Sequence, residues 1–138
     1  MSPEDEVCMR DRAYIEKMLG LTLAKLELAM RGVVSHNLLS AESCVSSTLF
    51  CAFDPAYHMQ GSHDDLVEQE LGRVHAALRQ AVASSSDEAA FAAAILDAAV
   101  VIVDAAAVLR GGTAPTIFVA VRTDIAMQYI EFAALQPL

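Results

Sequence analysis

Residues 85–112 run SSDEAAFAAAILDAAVVIVDAAAVLRGG, and this stretch sets the fold class. Alanine, the strongest helix former, dominates it, and no proline interrupts it. Ser85 and Glu88 have the spacing of a capping box, which starts a helix. Arg110 followed by Gly111 and Gly112 marks the other end: a cation near the negative pole of the dipole, then a residue free to turn left-handed. From Ala89 to Leu109 the only charges are Asp97 and Asp104, which share one narrow stripe. Phe91, Ile95, Ile102 and Leu109 define one apolar face, and Leu96, Val100 and Val103 define another. A helix apolar nearly all round is enclosed by other helices or spans a membrane. The length suits a span, but two aspartates near the middle would be costly in hydrocarbon. The segment is therefore expected to be a central helix, or one whose second face, Leu96, Val100 and Val103, meets another subunit. Asp97 and Asp104 are expected to mark its water-facing stripe, since unpaired buried carboxylates are so unfavourable.

The flanking sequence repeats the helical pattern. Ser2, Pro3 and Glu4 form a start signal, and a long amphipathic stretch runs from there to about Val34. Cys8, Ile15, Leu19, Leu26, Met30 and Val33 share one face of it, and Val7, Tyr14, Met18, Leu21 and Leu28 form a second apolar stripe. Ser40 is placed to cap a second helix with Ala41, Cys44, Val45, Thr48, Leu49 and Ala52 inward, ended by Asp54-Pro55. Ser62 and Asp65 open a third helix, marked by Val67, Leu71, Val74, Leu78 and Val82. After Pro115, the β-branched run Thr116–Val119 allows a short strand. Phe118, Val121, Ile125, Tyr129 and Phe132, all on one face, argue for helix. The expected fold is all-α: a single domain over residues 1–138, a compact antiparallel bundle of four to five helices with short connections.

Composition agrees. The chain has 138 residues, one domain's worth, 55% of them hydrophobic, with no tryptophan. Its formal net charge is −9, and the nine basic residues are scattered singly. That balance opposes phosphate backbones, so no nucleic-acid partner is expected, and no membrane partner either. Three cysteines without paired spacing read as free thiols in a reducing compartment. The acidic N-terminal residues lack the pattern of a secretory signal, and a cytoplasmic location is expected.

Candidate chemistry is sparse. His58, His63 and Asp64, with Asp65 and Glu68 nearby, offer nitrogen and oxygen metal ligands within a short stretch. The same acids also suit a helix N-terminus, and no cofactor is expected. Cys44 and Cys51 share a helix face but form no Cys-x-x-Cys pair, so small core residues are the simpler account. Arg31-Gly32-Val33-Val34-Ser35-His36 is an Arg-x4-His spacing, similar to the motif of HEPN-type ribonucleases, which are also small helical bundles. That resemblance implies that Arg31 holds a phosphate and His36 assists proton transfer on RNA, across a dimer. By its residues alone the segment also reads as a cationic helix C-terminus.

Two apolar faces on the first and fourth helices are more than one small core needs. Surplus apolar surface usually marks a partner site. The expected role is a non-enzymatic, self-associating interaction or regulatory module, a homodimer or a complex with another protein. A binder of a small apolar ligand in the bundle interior and the ribonuclease stand as alternatives.

Overall fold

The computed structural model describes the backbone of residues 3–49 and 65–136 and the side chains of residues 12–49 and 65–136. Five helices follow one another: α1 (Pro3–Val34), α2 (Leu38–Ser47), α3 (Asp65–Ala83), α4 (Glu88–Arg110) and α5 (Thr116–Ala134). There is no strand among the described residues, and the chain is an all-α bundle. The β-branched run at Thr116 is the first turn of α5, with Pro115 just before it, because Phe118, Ile125 and Phe132 turn inward together only at a helical period.

α1 and α4 cross the middle of the bundle. α1 packs against α2, α4 and α5, and α4 packs against α1, α3 and α5. Two contacts fix the direction at one end: Arg12 donates to the Leu109 carbonyl at 3.4 Å, and Arg110 lies 3.5 Å from Glu16. At the other end His36 meets Glu88. α1 and α4 are therefore antiparallel, and α5, returning from α4, runs parallel to α1. Their shared core holds Leu19, Leu26 and Met30 of α1, Val74 and Leu78 of α3, and Phe91, Ile95 and Ile102 of α4.

Small residues set the closest approaches. A methyl group added at Gly20 would come within 3.1 Å of the Phe118 ring, and one at Gly32 within 3.1 Å of the Ala41 Cβ. Gly20 thus lets α5 seat an aromatic ring against α1.

Two caps differ from expectation. α2 is capped by Asn37, whose side chain accepts from the Ser40 amide at 3.2 Å, so Ser40 lies inside the helix. α4 is capped by Asp87, whose Oδ1 accepts from the amides of Ala89 at 2.9 Å and Ala90 at 3.2 Å. Ser84 and Ser85 instead close the last turn of α3, their amides bonded to the Gln80, Ala81 and Val82 carbonyls. A charged carboxylate at the positive end of a long helix gains from the dipole as well as from the hydrogen bonds. The Ser62 cap lies outside the described residues.

α4 is long and apolar enough to cross a membrane by length and composition alone, and 56% of its most apolar stretch is buried within this chain. Asp97 and Asp104 face water as expected. Asp104 accepts from Arg73 at 2.9 Å. Arg73 also donates to Glu70 at 2.7 Å, and Glu70 is only 3% exposed. Its hydrogen bond to Asp104 holds the Arg73 guanidinium still more firmly protonated than usual against the opposing effect of burial, and the nearby charges of Glu70 and Asp104 add to it.

Candidate interaction surface

The residues singled out for chemistry fall into separate places. Arg31 is exposed and bonded to Glu27 at 2.6 Å, one turn earlier on α1. His36 turns away to Glu88 at the start of α4, its Nδ1 3.2 Å from a carboxylate oxygen. The backbone explains why a residue is needed there. His36 has φ 59°, its amide bonds to the Val33 carbonyl, and the Asn37 amide bonds to the Gly32 carbonyl. This pair of bonds is a Schellman ending with His36 in the left-handed position that glycine usually fills. Gly111 ends α4 the same way, at φ 72°, with its amide on Val108 and that of Gly112 on Ala107. His36→Gly is expected to stabilise the protein by about 1 kcal/mol, since left-handed backbone is unfavourable for a side chain by roughly that much. The His36–Glu88 contact is exposed, and its loss subtracts little. Thermal unfolding checks this, and a lowered midpoint would contradict the backbone role.

His58, His63, Asp64 and Cys51 lie outside the described residues. Among the described residues no three His, Cys, Asp or Glu side chains come together as metal ligands. Cys44 is a half-buried free thiol packed against the core. Arg31 and Glu27 line a polar cleft of about 370 Å³ with Asp124, Gln128 and Glu131 of α5.

The α4 flank is unevenly covered. Val103 is 5% exposed, Leu96 is half-buried against the core, and Val100 alone stands out at 46%. With α1, α3 and α5 on three sides, α4 keeps little of its second face for a partner. α1 leaves a line of large apolar side chains open to solvent. Tyr14, Leu21 and Leu28 are 49%, 54% and 49% exposed. Recurring every seventh residue, they form a ridge about 21 Å long. The ridge lies between two apolar grooves open to solvent. One, about 400 Å³, runs between α1 and α5 past Ala13, Gly20, Ile117 and Val121. The other, about 370 Å³, runs between α1 and α2 past Met18, Thr22, Leu28 and Thr48. Leu21 lines both.

The ridge is flanked by cations. At about 100° per residue, Lys17 and Lys25 sit one turn either side of Leu21 and about 40° to its left and right. Lys17 borders the α5 groove and Lys25 the α2 groove. Sequence periodicity had shown the ridge as the second stripe of α1; the lysines beside it are not visible in a count of scattered basic residues. No protein-family model, no curated protein and no solved structure matches this chain.

Proposed function

We propose that this domain is a non-enzymatic protein-interaction module, with the Tyr14–Leu21–Leu28 ridge of α1 as its contact face. The observation that carries this reading is a line of large apolar side chains at about half exposure along α1, bordered by two open grooves. Scattered apolar residues are ordinary on a surface, whereas a contiguous strip rimmed by charge is the usual mark of a partner site. The grooves have ligand-like volumes, but they lie open beside a helix, which suits the side chains of a docked helix better than an enclosed small molecule. In this reading the domain is soluble and cytoplasmic, its Cys44 kept as a thiol. A second copy or a different protein would occupy the ridge.

Photocrosslinking tests it. With p-benzoylphenylalanine in place of Leu21, irradiation in cells is expected to give a discrete protein adduct, and its mass tells a second copy from another chain. The same probe at Asp97, exposed on α4, serves as the comparison and is expected to give none. Equal adducts at both positions, or none at Leu21, would reject the ridge as a contact face.

A further inference from the structure

We infer that the occupant of the α1 ridge is an acidic amphipathic helix from another protein, laid along α1 with its apolar side on Leu21 and Leu28 and its carboxylates toward Lys17 and Lys25. The inference rests on the ridge being a partner surface and adds the partner's chemistry. It follows from which charges on α1 are already engaged. Glu16 is held by Arg110 and Glu27 by Arg31. Lys17 and Lys25 form no ion pair among the described residues. α1 therefore presents an apolar line with an uncommitted ammonium group on each side and no uncommitted carboxylate among its described residues.

Charge placement of this kind selects a partner more than it strengthens one. A symmetric pairing of ridge on ridge would bring each lysine in twice, four ammonium groups around one apolar contact, while the nearby carboxylates stay on their own arginines. Like charges at the rim of a helix pair disfavour it, as at the flanking positions of coiled coils. A helix carrying glutamates on both flanks of its apolar stripe meets both lysines with opposite charge. An anionic membrane would also meet them, but its surface extends past the ridge to the rest of a body of net charge −9, and that wider contact is repulsive.

The probe is a synthetic helix of about six turns, roughly 21 residues, with leucines on one face and glutamates on both flanks, together with a version carrying lysines in place of the glutamates. Fluorescence anisotropy with the full chain is expected to show the acidic peptide binding about tenfold more tightly, the sum of two modest exposed pairs and the removal of repulsion. Lys17→Glu/Lys25→Glu, both exposed and expected to fold, should reverse that ranking. Leu21→Ser/Leu28→Ser should abolish binding of both peptides with the helical circular dichroism unchanged. Binding that needs the leucines but ignores peptide charge would overturn the acidic partner while sparing the ridge. Binding of neither peptide, with no adduct at position 21, would remove the ridge itself. Two further results would also overturn the proposal: a dimer in sedimentation velocity that the Leu21→Ser/Leu28→Ser variant dissolves, or co-sedimentation with phosphatidylserine vesicles without peptide binding.

Discussion

Phe91→Ala is expected to remove about 3–5 kcal/mol of unfolding free energy, the range for deleting a buried phenylalanine. Phe91 is the largest of the fully buried side chains and sits one turn into α4, its amide bonded to the Asp87 carbonyl at 2.8 Å. Its ring belongs to the core that α1, α3 and α4 share, so no single loop can settle into the space left behind. For a domain of this size the loss lowers the thermal midpoint by roughly 10–20 °C. Val100→Ala, on the same helix but half exposed, changes the same helix propensity and is expected to alter stability by less than about 1 kcal/mol. The two measured side by side by urea unfolding separate core packing from helix formation. Similar losses in both would contradict the burial of Phe91.

Arg73→Met is expected to destabilise by about 2–3 kcal/mol, somewhat less than breaking a fully buried pair because Arg73 is itself partly exposed. Arg73 joins two helices: it donates to Glu70 on its own α3 and to Asp104 on α4. Asp104 loses little when the arginine goes, since water reaches it. Glu70 is different, for its carboxylate then lies buried with its cation gone. The second substitution Glu70→Gln, which removes the charge and keeps the shape, is expected to restore more than half of the loss. A double-mutant cycle from denaturant unfolding gives the coupling between the two residues. A cycle showing no coupling would assign the Arg73 effect to Asp104 or to packing.

The helices were legible because periodicity is a property of consecutive residues. Ile15, Leu19, Leu26 and Met30, and likewise Phe118, Ile125 and Phe132, take the inward positions that their spacing specifies. Cap chemistry was legible only in part. The Ser84–Asp87 segment offers several oxygens, and which one caps α4 depends on how far the last turn of α3 extends, a competition decided by the backbone path. Glu70 carries no local sign of burial, and the Arg73 that holds it reaches across to Asp104 of α4, supplied by residues far along the chain. The same reason governs the second face of α4. Leu96, Val100 and Val103 look alike in sequence, and only the positions of α1, α3 and α5 make Val103 interior and leave Val100 outside. His36 stands apart: its left-handed backbone is a position where glycine would be the ordinary choice, so nothing in the residue type announced the turn.

The pairing of α1 with α4 and α5 has a consequence for how the chain is made. The first helix leaves the ribosome with Leu19, Leu26 and Met30 in place, yet two of the helices that cover them arrive only as the last third of the chain is translated. At 5–20 residues per second, synthesis from the end of α1 to the end of α5 takes roughly 5–20 s. Until then an apolar helix waits without its full cover, with α2 packed on it first among the described helices. The core face of α1 is thus completed only when α5 docks.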